Sequence, residues 1–274
     1  MEKFDNLINK LQLGDIPKEE FYGCLHRIRK NFDLDLDLET LQFYGLPVEE
    51  GDDSVYLKTR HNHYRDETYC IVDIETNGNN PVKNQIIELG AIKYRNGEVV
   101  DRFESYVYAD YIPQAIVRLT NIEQSDLADA PSLKKVLYDF KLFLGDAVFV
   151  AHNVKFDYHF ISTSMKTVGL EELLNRKLCT VDLARKTIKA EKHGLAHLRE
   201  VLEIECGEHH RAYADAISAA KVLDACFENL PEEVITTEDL IAYSKHAPRV
   251  GTKRKRKRGA ETQEKRKKEE KKQA

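Results

Sequence analysis

Apolar residues Phe4, Leu7, Ile8 and Leu11 recur at helical spacing, and Gly14 ends that run. Pro17 opens a second helix through Lys30, with Phe21, Leu25 and Ile28 on one face. A third short helix near Leu38–Tyr44 is cut off by Gly45 and Pro47, and Ser54–Thr59 reads as a strand. Three short helices followed by a strand predict a small N-terminal helical, winged-helix-like module over residues 1–65. Such modules bind nucleic acid in some proteins and protein in others, so this fold alone does not choose a function.

From residue 66 the pattern changes to mixed α/β. TYCIVDIET is a strand that is apolar on both faces until carboxylates interrupt it. NQIIELGAIKYRNGEVVDRFESYVY gives two strands joined by Asn96-Gly97, a strong hairpin signal. Pro113 and Pro131 flank the openings of helical segments, Ala147–Ala151 is a short buried strand, and a helix follows from about Val154. Further helical stretches follow Thr180, Gly194 and Arg211. A hairpin-led sheet wrapped by helices predicts an α/β domain over residues 66–232. Residues 233–274 add one short helix, TTEDLIAYSK, and a basic tail without packing apolar residues, which predicts disorder.

Charge sharpens this division. The net charge of −5 hides 13 Lys and Arg against 4 Asp and Glu in residues 249–274, whereas the rest of the chain carries 29 against 43. The body is acidic and the tail basic, so the tail suits phosphates or an acidic partner, or serves only to solubilise. No stretch approaches the roughly 20 apolar residues of a membrane helix. The opening MEKFDNLINKLQLGD has no signal-like apolar core, so a cytoplasmic location without membrane attachment is expected. The five cysteines (Cys24, Cys70, Cys179, Cys206, Cys226) are odd in number, scattered and free of C-x-x-C spacing, which argues against disulfides and cysteine zinc sites.

Asp73 and Glu75 lie two apart on a strand and project from the same face, with Cα atoms roughly 6.5–7 Å apart. Two like charges in an apolar strand resist ionisation unless a cation compensates them. The alternative places them at an exposed strand end, capping the Thr76–Asn80 turn. HNVKFD puts Asp157 in the first turns of a helix at a strand's carboxyl end, where ligand sites of α/β folds gather. HHRAYADAISAAKVL puts His210 five residues before Asp215, on a helix whose Ala212, Ala214, Ala216, Ala219 and Ala220 permit close packing. Two other groupings are weaker. Asp33, Asp35 and Asp37 alternate with leucines as on a solvated face, and His193 and His197, four apart, lack a third zinc ligand.

VDIETNG, HNVKFD and HRAYADA, in this order and with these gaps, resemble the three motifs of the DEDDh, or DnaQ-like, 3′–5′ exonucleases. LTNIEQSDLADAP, LCTVDLARK and HGLAHLREVLEIE resemble the linkers between those motifs. The similarity covers about residues 66–230 and is closest to the epsilon, proofreading, type associated with bacterial DNA polymerase III. One departure is Asn77, where many relatives carry a second threonine.

The resemblance implies a ribonuclease H-like fold and two divalent cations, Mg²⁺ or Mn²⁺. It also implies the roles: Asp73 bridging both cations, Glu75 and Asp215 holding the nucleophile-side one, Asp157 supporting the other, and His210 as the base. Thr76 and Asn153 would bind the terminal nucleotide, and Phe156 either packs near its base or fills the core. His152 is expected to orient its loop. Hard cations take oxygen ligands, and phosphodiester hydrolysis needs an activated water and a stabilised leaving oxygen, so carboxylates suit this chemistry.

The expected substrate is a single-stranded or frayed DNA 3′ end, with the DNA polymerase III catalytic subunit as a partner in proofreading. RNA is the alternative substrate for a stand-alone exonuclease, since nothing in these motifs reports on the 2′-hydroxyl. A polymerase-binding scaffold with secondary catalysis is a third reading, which the complete acid set disfavours. The tail has no Q-x-x-L-x-F clamp-binding pattern, and Gln124–Leu127 lacks its aromatic residue.

Overall fold

The structure, a computed structural model, describes residues 2–32, 36–205 and 211–250. The N-terminal module runs α1 (Glu2–Leu13), β1 (Ile16–Pro17), α2 (Lys18–Phe32), α3 (Leu38–Phe43), β2 (Val48–Glu50) and β3 (Ser54–Leu57). Its strands form an antiparallel sheet in the order β1-β3-β2. Helix–strand–helix–helix–strand–strand is a winged-helix order of elements. Pro17 therefore pairs with Ser54 in β1 rather than opening α2, and Lys58 and Thr59 leave the strand for the short α4 (Lys58–His61). Strands β1 and β2 are too short to leave a periodic signal in the sequence.

The second domain is built on β4 (Tyr69–Thr76), β5 (Ile86–Arg95), β6 (Glu98–Tyr106), β7 (Val148–Ala151) and β8 (Lys177–Cys179). Their order is β6-β5-β4-β7-β8, with β4 to β6 antiparallel and β7 and β8 added in parallel. Asn96 and Gly97 take φ of 53° and 81°, the left-handed pair that a tight hairpin needs. The helices are α5 (Gln114–Thr120), α6 (Gln124–Leu127), α7 (Leu133–Leu144), α8 (Val154–Thr167), α9 (Thr180–Thr187), α10 (Leu195–Val201), α11 (Ala212–Phe227) and α12 (Thr237–His246). This is the mixed, helix-flanked sheet of the ribonuclease H-like fold. Among the described residues no helix is long and apolar enough to cross a membrane.

Alternation along β4 divides the core in two. Tyr69 and Ile71 pack with α9, α11 and α12 on one face. Cys70, Val72 and Ile74 pack with α7 and α8 on the other. Both faces of β4 are covered, which explains its continuous apolar run. Asp73 and Glu75 share the parity of Ile71 and so turn toward the face that α11 covers.

The two domains are joined through packed contacts. Leu174 inserts into the module's core beside Phe4, Leu41 and Leu46, and its amide donates to the Tyr44 carbonyl at 2.7 Å. Lys58 pairs with Asp146, and Lys141 Nζ lies 4.2 Å from the Phe43 ring centre and 4.8 Å from that of Tyr44. The segment after α4 pairs with the approach to α12 through a bridge between His63 and Thr236. Helix α12 in turn buries Leu240 and Ile241 in the same core as α11.

Arg176 and Glu238 fix this corner with a bidentate pair at 2.6 and 2.7 Å, to which Thr59 adds a hydroxyl at 2.8 Å. Both charged side chains are largely buried. Truncating one partner leaves the other charge buried and unpaired, so Glu238→Ala is expected to destabilise the fold by about 3–5 kcal/mol, measured by chemical denaturation.

Candidate active site

Strand β7 pairs with β4 only as far as Ile71 opposite Val150. Beyond that point one edge of β4 is open, and the Ile74 amide donates to the carboxylate of Asp157 rather than to a strand. Asp157 sits in the first turn of α8, where its own amide also donates to it. The turn into α8 passes through Asn153, whose φ of 95° is left-handed, a conformation asparagine tolerates better than most residues.

Asp215 reaches the same place from the opposite face. Gly90 lies across from Asp73 in the β4–β5 ladder, and a Cβ there would overlap the backbone of Ala212 and Tyr213. Helix α11 therefore starts directly against the strand, an approach that only glycine allows. Glu88, across from Glu75, holds that start in place: it is buried and accepts from Arg211 Nε at 3.1 Å, Arg211 Nη2 at 2.9 Å and the Ala212 amide at 3.0 Å. The Arg211 guanidinium also meets the Tyr106 hydroxyl at 2.9 Å. Ala212, Ala216, Ala219 and Ala220 are buried against the sheet, as their size permits.

Asp73, Glu75 and Asp215 each offer an oxygen within 4.8 Å of the others. Asp157 lies outside that trio but adjoins Asp73, whose proton affinity its charge raises. Arg199 of α10 approaches Asp215 Oδ1 at 3.6 Å. Burial, followed by the charges of Asp157, Glu75, Asp215 and Glu88, holds the Asp73 carboxyl well above the usual carboxylate range. Glu75 is pushed up to about 8 by burial and the charges of Glu88, Asp215 and Asp157, with Arg211 opposing. Burial raises Asp157 to about 7. Carboxyls crowded into a half-buried crevice thus ionise reluctantly, and a hard divalent cation is the complement this donor set fits.

The remaining expected residues divide. Thr76 ends β4 beside the acids, and Asn153 is exposed at the start of α8. Phe156 packs against the core, its ring 5.7 Å from that of Phe160, so the filling role is the one its contacts support. His152 is held on both nitrogens, at 2.9 Å from the His193 carbonyl and 2.9 Å from the Thr180 hydroxyl. Burial lowers it to about 4, so it is a neutral ring whose Nε2–H donates to the carbonyl. His193 bonds to the Ile188 carbonyl, and His197 adjoins Glu200. Neither histidine joins a metal-ligating cluster among the described residues. Asp37 caps α3 by accepting from the Thr40 amide. His210, Asp33, Asp35, Cys206 and the tail 251–274 lie outside the described residues.

Glu88, Gly90, Arg199 and Arg211 have roles that no motif in the sequence announces. A charged residue within the apolar run IIELGAI was the available signal for Glu88, but only the ladder reveals that it faces the start of α11.

A model of the RNase T exonuclease family matches residues 70–223. The chain is 37% identical over 191 residues to a DNA polymerase III PolC-type of Staphylococcus epidermidis, and 36% identical over 195 residues to that of Staphylococcus haemolyticus. These matches cover 69% and 70% of this chain but only 13% of each relative's length. Among solved structures, Exonuclease X in complex with 5′ overhanging duplex DNA aligns with a TM-score of 0.50 at 23% identity, over 62% of this chain and 99% of that one. The zinc-bound E. coli ExoI–ssDNA complex aligns with a TM-score of 0.55 at 18% identity, over 61% of this chain and 42% of that one. At such identities the structural likeness concerns the fold.

Two outcomes test the geometry. Carboxyls with raised proton affinity favour the folded state when protonated, and that contribution is lost as pH rises through about 7 to 8. In chelator the melting temperature should therefore fall between pH 6 and pH 8.5, and added Mg²⁺ should restore more of it at the higher pH. Gly90→Ala should force α11 from the sheet, with about 3 kcal/mol of destabilisation by denaturant titration and loss of the Mg²⁺-induced rise.

Proposed function

Because the chain belongs to the RNase T exonuclease family, we propose that it is a metal-dependent 3′–5′ exonuclease acting on single-stranded or frayed DNA ends. The convergence of Asp73, Glu75 and Asp215 within 4.8 Å, under mutual repulsion, is the observation that carries this reading. These three carboxylates, with Asp157 beside Asp73, would hold two divalent cations, Mg²⁺ or Mn²⁺. Such a pair, when bound, supplies charge stabilisation at the phosphate and lowers the proton affinity of water.

The chain's own groups do the rest. His210, five residues before Asp215, takes the proton of the attacking water, a task suited to imidazole near neutral pH. Thr76 and Asn153 orient the terminal nucleotide.

DNA is favoured over RNA because the relatives are DNA polymerases and the aligned exonucleases are described in complex with DNA. The polymerase relatives further suggest a proofreading role beside a polymerase catalytic subunit, to which this chain would contribute the exonuclease. Cys24, Cys70, Cys179 and Cys226 are free and buried, which suits a reducing cytoplasm.

With Mg²⁺, the protein should shorten a 5′-labelled DNA strand from its 3′ end and remove a mismatched terminus faster than a paired one. Asp73→Ala should lower that rate by about a thousandfold while leaving the circular dichroism spectrum unchanged. Trimming of RNA alone, or undiminished activity in Asp73→Ala, would refute the assignment.

A further inference from the structure

Of the residues expected at the terminal nucleotide, Thr76 and Asn153 offer polar groups, and the Phe156 ring packs against Phe160 in the core. A base stacked at this site therefore needs another ring. A grip by charge is also poorly served, since residues 1–248 carry 29 Lys and Arg against 43 Asp and Glu. Stacking on an aromatic side chain needs no charge and tolerates any base.

Such a ring stands beside the acids. Asn77 directly follows Thr76 and is the position where this chain departs from many relatives. Its Nδ2 donates to the Tyr111 carbonyl at 3.1 Å, and its Oδ1 accepts from the Gln85 amide at 2.8 Å. One side chain thus ties the end of β4 both to the approach to β5 and to the segment that follows β6. Gln85 Nε2 donates to the Tyr108 carbonyl at 2.5 Å, a second fastening of that segment. Ala109 and Ile112 are buried, and Gln124 donates to the Ala109 carbonyl at 2.6 Å and accepts from the Ile112 amide at 3.1 Å. Between these anchors Tyr111 is left 66% exposed. The acid next to it, Asp110, accepts from the Tyr108 hydroxyl at 2.7 Å. A large ring, exposed on backbone that Asn77, Gln85 and Gln124 tie down, has little freedom left to lose on binding.

We propose that Tyr111 is a stacking platform for an unpaired base near the 3′ end of the bound strand, and that Asn77 is the residue that positions it. The proposal rests on the nuclease reading above. The fastening to Asn77, one residue from Thr76, makes the ring continuous with the acidic site, which is why a nucleic-acid strand is the occupant. A base inside a duplex has both faces covered by its neighbours, so a platform of this kind favours single-stranded or frayed ends. It reads no base edge and so adds no sequence preference.

Full-length protein and the variants Tyr111→Ala, Tyr111→Phe and Asn77→Ala test this with two readouts. The first is KM with Mg²⁺ for a thymidylate dodecamer and for the same strand with abasic sugars at its 3′ end. Tyr111→Ala should raise KM for the complete strand about tenfold and change KM for the abasic strand by less than about twofold. Tyr111→Phe keeps the ring and should restore the parent value for the complete strand. Asn77→Ala should follow Tyr111→Ala by a smaller factor, again only where bases are present. The second readout is binding in chelator, followed by the fluorescence of an aminopurine base near the 3′ end. The parent should quench that fluorescence by stacking, and Tyr111→Ala should lose most of the quenching. A folded Tyr111→Ala with unchanged KM and unchanged quenching would overturn the proposal, leave the ring to a protein partner and keep the nuclease reading intact. Equal rises in KM for the two strands would also overturn it, since they mark a backbone contact or a structural loss. A parent that shortens neither strand would overturn the nuclease reading, and this proposal with it.

Discussion

Repulsion among carboxylates is the constraint around which this domain is arranged. Asp73, Glu75, Asp157 and Asp215 are held close by backbone that cannot yield: a central strand, the first turn of α8, and a helix laid on Gly90. Flexible side chains on a surface would splay apart and hydrate separately. Here the scaffold pre-forms the repulsion, at the expense of stability, and hard cations are what such a donor set would fit.

That arrangement has a visible support. Glu88 is itself an acid in the crowded neighbourhood, yet it is fully engaged by the Arg211 guanidinium and the Ala212 amide. It acts as a clamp on α11 rather than as another open ligand. On the far side, β7 stops early and leaves the Ile74 amide for Asp157. One ladder is continued past the site to anchor a helix, and the other is cut short to admit a side chain.

The N-terminal module is joined to this machinery without sharing its acids. Residues 1–65 carry 9 Lys and Arg against 13 Asp and Glu, a balance that does not favour phosphate binding by the module as a whole. The aromatic end of α3 lies under Lys141 of the exonuclease domain, and Leu174 from that domain completes the module's core. The module is thus packed onto the α/β domain as part of one body.

Much of the fold was legible in the sequence, because periodicity records which face of an element is buried. The hairpin at Asn96-Gly97, the strand of Asp73 and Glu75, and the helices carrying Asp157 and Asp215 all follow from local pattern. So does the choice of acids as the chemistry, since like charges in an apolar strand ask for a cation. Strands of two or three residues, such as β1, β2 and β8, are too short to show a period, and only their partners define them. The contacts of Glu88 with Arg211, and of Gly90 with the start of α11, join residues more than 120 positions apart. Local sequence carries no record of that approach; tertiary packing decided it, and with it whether four acids scattered along the chain become one site.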